Sequence, residues 1–172
     1  GEYRHLSEDR YVQYDDGDPV RIVGAFRDVT GRRRREQRLD SLHQATRTLI
    51  GSTSVSDVVA VASEAAAGLL DLPINAVFLF DDGRLVPRAH TDRTAAVLGS
   101  IPTFGPGEGI IWETYSSGET RTFADVRESD AVYNPDTPIR SELHVPMGDH
   151  GVFVAASTTV DDFSRTDVHL AE

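Results

Sequence analysis

The chain of 172 residues contains no cysteine and no lysine. Without cysteine it forms no disulfide, thiolate nucleophile, cysteine-ligated zinc site or iron–sulfur cluster. Without lysine it forms no Schiff base and has no P-loop. Neither a Gly-x-Ser-x-Gly elbow nor a His-Glu-x-x-His motif occurs, and the six histidines show no metal-ligand spacing. The sequence therefore predicts no catalytic residues, no metal site and a protein that is not an enzyme.

Long hydrophobic runs are also missing. A membrane-spanning helix needs about 20 mostly apolar residues, and no run in this chain approaches that length. We therefore expect this segment to lie in the cytoplasm, with any membrane anchor of the parent protein outside the chain.

The charge is strongly unbalanced. All 17 basic residues are arginine, against 28 acidic residues, for a net charge of −11. Residues 1–40 contain nine acids and nine arginines, whereas residues 41–172 contain 19 acids and eight arginines. Such a surface suits a cytoplasm near molar salt, where self-repulsion is screened, and it repels nucleic acid. We expect a halophilic archaeal protein without a direct nucleic-acid partner; an acidic protein from a GC-rich genome is the alternative.

The first 51 residues show a strand–turn–strand–helix pattern. Residues 2–14 and 20–29 alternate as half-buried strands around an Asp-Gly turn. A helix is predicted over residues 31–51, with a 3-4-3 spacing that is typical of a coiled-coil seam at Leu39, Leu42, Thr46 and Leu49. This seam predicts a homodimer; the alternative is an amphipathic helix that packs on the sheet of its own domain.

The remaining residues predict an α+β domain. A helix is predicted over 55–70, because Ser54 and Asp57 match a capping box at its start with Asp in place of Glu. Its apolar stripe is expected at Val58, Ala62, Ala65 and Leu69. Strands are predicted at 74–81, 84–91, 120–124, 141–147 and 151–159, with helices near 94–98, at 110–117 and after Asp162. Asp82-Gly83 predicts a hairpin between the first two of these strands.

Several motifs in this order resemble a GAF domain over residues 40–172. They are the glycine-rich segment from Phe104 to Thr114, the strand Arg-Ser-Glu-Leu-His-Val-Pro-Met at 140–147, and Phe163-Ser164 with Asp167 before the last helix. The resemblance implies an antiparallel sheet flanked by helices, with the C-terminal helix truncated. The resemblance identifies no cofactor. GAF domains that attach a bilin depend on cysteine, and so do the GAF-type methionine-sulfoxide reductases, so the absence of cysteine excludes both classes.

The first 30 residues resemble the C-terminal strands of a PAS domain. The run Asp28-Val29-Thr30 followed by a charged helix is similar to the point where a PAS sheet continues into a signalling helix. The resemblance is to haloarchaeal sensor histidine kinases and bacterio-opsin-activator-like regulators. It implies an output domain outside this chain, either a histidine kinase or a DNA-binding regulator.

The resemblance also places a ligand pocket between the sheet and the segment 104–117, with residues 139–145 as one wall. We expect its lining among five aromatic residues and two others, namely Phe78, Phe80, Trp112, Tyr115, Phe123, Arg140 and Leu143.

The sequence leaves three possible functions. The leading one is a non-catalytic sensory and relay module; the others are a ligand-free dimerisation spacer and an uncharacterised hydrolase that uses Asp, Glu and His side chains.

Overall fold

A computed structural model describes residues 6–15, 18–31, 43, 51 and 54–172. The chain divides into two compact units, Gly1–Ser41 and Leu42–Glu172. The predicted seam residues Leu39, Leu42, Thr46 and Leu49 lie outside the described residues, so the dimer seam stays a prediction.

The first unit contains an antiparallel strand pair. Strand β1 (Leu6–Asp15) pairs with β2 (Asp18–Asp28), with an irregularity in register after Gln13. The Asp28 carboxylate accepts the backbone N–H of Thr30 at 2.9 Å, where the chain turns from strand into helix. A short acidic side chain is a favourable cap at a helix start, which gives the Asp-Val-Thr run a physical role.

The second unit is built on a five-stranded antiparallel sheet with strand order β4-β3-β7-β6-β5. The strands are β3 (Asn75–Asp81), β4 (Arg84–His90), β5 (Arg121–Phe123), β6 (Ser141–Pro146) and β7 (Gly151–Ser157). The helices are α1 (Val55–Leu69), α2 (Asp92–Leu98), α3 (Gly109–Ser117) and α4 (Arg165–Ala171). These elements confirm the predicted α+β order.

Alternation along the central strands places buried side chains on both faces of the sheet. Val77 on β3 and Leu143 on β6 pack with α1 and α4. Ala76 and Phe78 on β3 face the opposite side, where they pack with Ile111 of α3. Because successive side chains on a strand point to opposite faces, a sheet covered on both sides buries consecutive residues.

The buried stripe of α1 differs from the predicted one. Val58 is 41% exposed, whereas Val59, Ser63 and Ala66 form the buried face. Ser63 is 2% exposed because its hydroxyl donates to Asn75 Oδ1 at 2.7 Å. The sequence pattern treats a serine as exposed, so it cannot identify a stripe whose centre is a hydrogen-bonded polar residue.

Candidate functional site

A cavity of about 350 Å³ lies on the α3 face of the sheet. Its floor consists of alternate residues from three adjacent strands, namely Ala76, Phe78, Glu142, His144, Val154 and Ala156. The other walls come from α2, from the segment before α3, from α3 itself and from the segment between β5 and β6. This volume lies within the range that small-molecule pockets commonly occupy.

Three aromatic rings form one end of the cavity. The ring centroids of Phe78 and Phe104 are 5.5 Å apart, and those of Phe104 and Tyr133 are 5.1 Å apart, both in edge-to-face geometry. Phe104 is held by two backbone hydrogen bonds to Leu85 of β4, at 2.8 and 3.0 Å. Such edge-to-face pairs are favourable because the positive ring edge meets the negative ring face.

Gly109 places the start of α3 against these rings. Its φ is +75°, and a Cβ at this position would lie 3.4 Å from Phe104 and from Tyr133. Glycine adopts positive φ without the steric cost of a side chain. The helix therefore begins close enough to the sheet for Ile110 and Ile111 to line the cavity.

The segment before α3 is fixed to β4 by one glutamate. Glu108 Oε2 accepts the backbone N–H of Gly105 at 2.6 Å and pairs with Arg84 at 3.1 Å. Both charged side chains are about half exposed, so the pair orients this segment more than it stabilises the fold.

The polar centre of the cavity is a chain of three side chains. His144 is fully buried, with its Nε2 atom 2.8 Å from Glu142 Oε2 and its Nδ1 atom 3.1 Å from Thr114 Oγ1. The Thr114 hydroxyl also lies 3.2 Å from the carbonyl oxygen of Ile110, within α3. Glu142 and His144 line the cavity, whereas Thr114 has no exposed surface.

The wall between β5 and β6 is held by two arginines. Arg140 forms an ion pair with Asp125, and Arg127 donates to the carbonyl oxygen of Thr137. The hydrogen bond from Arg140 is the main cause that lowers the pKa of the Asp125 carboxyl, with further contributions from the Arg127 backbone N–H and both positive charges. These contacts fix Val126 and Thr137, which line the cavity.

Of the seven predicted pocket residues, the structure places only Phe78 on the cavity wall. Phe80, Trp112 and Tyr115 form a separate aromatic cluster: the Phe80 centroid is 5.1 Å from that of Tyr115 and 6.4 Å from that of Trp112. Phe80 is 41% exposed, because it follows Phe78 by two residues towards the β3–β4 turn. Burial, followed by the nearby charge of Asp149, raises the pKa of the Tyr115 hydroxyl.

The other three predicted residues also lie away from the cavity lining. Leu143 packs on the opposite face of the sheet with α1, because it alternates with Glu142 and His144 along β6. The Phe123 ring lies 5.0 Å from the His144 ring, behind the cavity wall. Arg140 pairs its guanidinium with Asp125 and does not line the cavity.

The predicted pocket segments 104–117 and 139–145 include four lining residues that the sequence analysis did not name individually, namely Phe104, Ile110, Ile111 and Glu142. The glycines around Phe104 indicated a segment that closely approaches the sheet, which was the available signal for the first three. For Glu142, the alternation of polar and apolar residues along β6 predicts a solvent-facing position. That reasoning fails because α3 and the β5–β6 segment cover this face.

The described part of the chain contains neither a metal-ligand cluster nor a membrane-spanning helix. No group of three or more histidine, aspartate or glutamate side chains is arranged to hold a metal ion there. None of the helices described there combines the length and the apolar composition needed to cross a bilayer.

Residues 52–172 match the sequence model of the GAF domain family. No curated protein matches the chain. A solved GAF domain aligns with 81% of this chain and 85% of its own length, with a TM-score of 0.63 and 18% identity.

Two solved structures of named proteins are similar. The free methionine-R-sulfoxide reductase from Neisseria meningitidis, in complex with its substrate, aligns over 78% of this chain and 83% of its own, with a TM-score of 0.63 and 19% identity. The GAF domain of an Acinetobacter phosphoenolpyruvate-protein phosphotransferase aligns over 78% and 87%, with a TM-score of 0.61 and 19% identity. These identities establish a shared fold, and the sequence match over 52–172 establishes that the chain belongs to the GAF domain family.

Proposed function

We propose that this chain is a non-catalytic sensory and relay module of a larger signal-transduction protein. A small molecule binds in the cavity between the sheet and α3, and binding changes the position of α3 relative to the sheet. The observation that carries the proposal is the cavity itself, which combines about 350 Å³ of space, aromatic walls and the polar pair Glu142–His144.

The position of α3 supports a relay role. Ile110 and Ile111 line the cavity, and the same helix carries Thr114, which contacts His144 on the sheet. Gly118 ends the helix with φ of +67°, next to β5. A ligand in contact with the two isoleucines therefore acts on a helix that is hydrogen-bonded to β6 of the sheet.

The contacts argue against a hydrolase. Thr114, His144 and Glu142 form a hydroxyl–imidazole–carboxylate chain, which superficially resembles a nucleophile with its base. The Thr114 hydroxyl is completely buried and held by its own helix, so no substrate reaches it. The open cavity likewise supports ligand binding over the spacer alternative, in which side chains would fill that space.

The proposal also includes the neighbouring domains, the oligomeric state and the source of the protein. The first strand pair is the end of a PAS domain, the helix over 31–51 forms a homodimer, and an output domain follows beyond residue 172. The acidic, lysine-free composition supports a halophilic archaeal source and a cytoplasmic location.

The test is extraction of small molecules from protein purified in high salt, followed by mass spectrometry. Ala76→Phe fills the floor of the cavity from β3, and Ala156→Phe fills it from β7. Ala96→Phe, at an exposed position on α2, is the matched control. Near-ultraviolet circular dichroism confirms that each variant is folded.

We expect the wild type and Ala96→Phe to retain one compound in a near-stoichiometric amount. Each cavity variant that folds should retain none of it. The proposal fails if the folded cavity variants retain the compound, or if the wild type retains none and binds none from a metabolite library.

A further inference from the structure

We propose that the cavity selects a ligand with a positively charged nitrogen and an apolar body, and that Glu142 is the residue that selects it. The inference rests on the proposed function and adds the chemical class of the ligand. It follows from the charges on the cavity wall, from the contacts of Glu142 and from the aromatic end.

Among the described residues that line the cavity, one is acidic and none is an arginine. Glu142 is the acidic residue, and its neighbour His144 is the other ionisable group apart from the Tyr133 phenol. Three arginines lie beside elements of the wall, and none of them lines the cavity: Arg140 pairs with Asp125, Arg121 pairs with Glu113 at 3.0 Å, and Arg127 donates to the carbonyl oxygen of Thr137. An anionic ligand would therefore lose its hydration without gaining a positive partner.

The hydrogen bonds around His144 are consistent with a charged Glu142. The Thr114 hydroxyl has a single proton, which it donates either to the Ile110 carbonyl oxygen at 3.2 Å or to His144 Nδ1. In the arrangement that the proposal takes, it donates to Nδ1, and a neutral imidazole donates its Nε2–H to Glu142 Oε2 at 2.8 Å. Glu142 then keeps its negative charge.

One carboxylate oxygen of Glu142 is available to a ligand. Among the hydrogen bonds that the described residues make, Oε2 is used by His144, and none involves Oε1. The Glu142 side chain is 20% exposed and borders the cavity. An ammonium group would donate a charge-assisted hydrogen bond to this oxygen, which is stronger than a hydrogen bond between neutral groups.

The aromatic end provides the complementary apolar surface. Phe78, Phe104 and Tyr133 lie in successive edge-to-face contact, and Phe78 is two strands away from Glu142 in the sheet. Strands lie about 4.8 Å apart, so the charged and aromatic regions are separated by roughly 10 Å or more. A ligand that reaches both has an amine at one end and an apolar or aromatic group at the other.

Three probes of nearly equal size and different charge test the proposal. They are phenethylamine, phenethyl alcohol and hydrocinnamate, and each is titrated by calorimetry into the wild type, Glu142→Gln and Glu119→Gln. Glu119 is exposed and lies outside the cavity lining, so its variant controls for the general attraction of cations to a protein of charge −11.

We expect the amine to bind the wild type and Glu119→Gln at least about tenfold more tightly than the alcohol, since charge-assisted hydrogen bonds are worth more than neutral ones. Glu142→Gln should lose that preference while its affinity for the alcohol stays within about twofold. If Glu142→Gln does not fold, the order of the affinities of the three probes for the wild type tests the proposal.

Equal or tighter binding of hydrocinnamate overturns the proposal, as does an unchanged amine preference in Glu142→Gln or an equal loss in Glu119→Gln. Absence of binding by all three probes also overturns it. If none of the three probes binds, the ligand-extraction experiment still tests separately whether the cavity is a binding site.

Discussion

Arg140 and Asp125 form a two-point ion pair at the edge of the cavity wall. Arg140 Nε donates to Asp125 Oδ1 at 3.3 Å, and Nη2 donates to Oδ2. The same carboxylate accepts the backbone N–H of Arg127 at 3.1 Å, and the Arg140 carbonyl oxygen accepts the N–H of Val126 at 2.7 Å. Arg140 is therefore a wall-positioning residue, although its charge suggested a ligand contact.

This pair predicts a pH-dependent effect of Arg140→Gln. Because Arg140 lowers the pKa of Asp125 in the folded state, the stabilisation is complete above the ordinary aspartate value of about 4. It is lost as the pH falls through the lowered pKa of the folded state. The variant should be less stable than the wild type in urea at neutral pH, and the difference should shrink near pH 3.

Arg93→Gln is the control, because Arg93 is exposed on α2. It should change the free energy of unfolding little at either pH. A difference between the wild type and Arg140→Gln that is the same at both pH values would mean that the ion pair does not stabilise the wall.

Asn75 predicts a large loss of stability on truncation. Its amide donates to the carbonyl oxygens of Ser63 and Leu72 at 3.1 and 2.8 Å, and its Oδ1 accepts the Ser63 hydroxyl. Asn75→Ala leaves these buried groups without partners, so we expect a loss of about 3 kcal/mol in the free energy of unfolding. Urea denaturation measures it.

Asn134→Ala is the matched control for Asn75. Asn134 is exposed and accepts one backbone N–H, from Asp136 at 3.0 Å, so we expect a loss of about 1 kcal/mol at most. Similar losses for both variants would contradict the role of Asn75 as the hydrogen-bonded connection between α1 and β3.

These two sites illustrate what the sequence could and could not predict. Strand periodicity and the Asp-Gly turn were sufficient for β3 and β4, and the shared face of Ala76 and Phe78 followed from alternation. The prediction of the buried face of α1 was wrong because Ser63 is buried by its hydrogen bond to Asn75, a residue twelve positions away. Periodicity contains no information on such pairings.

The pocket lining was harder to predict for a similar reason. Aromatic residues were natural candidates, yet the Phe80 and Trp112 rings pack on each other outside the cavity lining, and the Phe123 ring packs against the His144 ring. Whether an aromatic residue lines a cavity depends on which face of the sheet is covered and by what. A single sequence does not give that arrangement.

Salt should stabilise the domain. Residues 41–172 contain 19 acids and eight arginines, and their mutual repulsion is screened at high ionic strength. The melting temperature should rise steadily between about 0.1 and about 3 M KCl. A flat profile over this range would favour the GC-rich-genome explanation of the composition.

The helix over 31–51 should control the oligomeric state. Changing Leu42 and Leu49 to Glu places charges on the proposed seam, where burial is costly, so light scattering in high salt should show monomers. His43→Glu, at an exposed position, should leave the dimer intact. A folded dimer in the double variant would place the interface elsewhere.

The fluorescence of Trp112 tests the central claim most directly. It is the chain's single tryptophan, it follows the cavity-lining Ile111 on α3, and it packs against the core next to the cavity. Titration of the wild type with its ligand should shift Trp112 emission in a saturable way, while Ala76→Phe should show no shift and Ala96→Phe the full shift. An unchanged shift in a folded Ala76→Phe variant, or tight binding that leaves Trp112 emission constant, would contradict a cavity ligand that acts through α3.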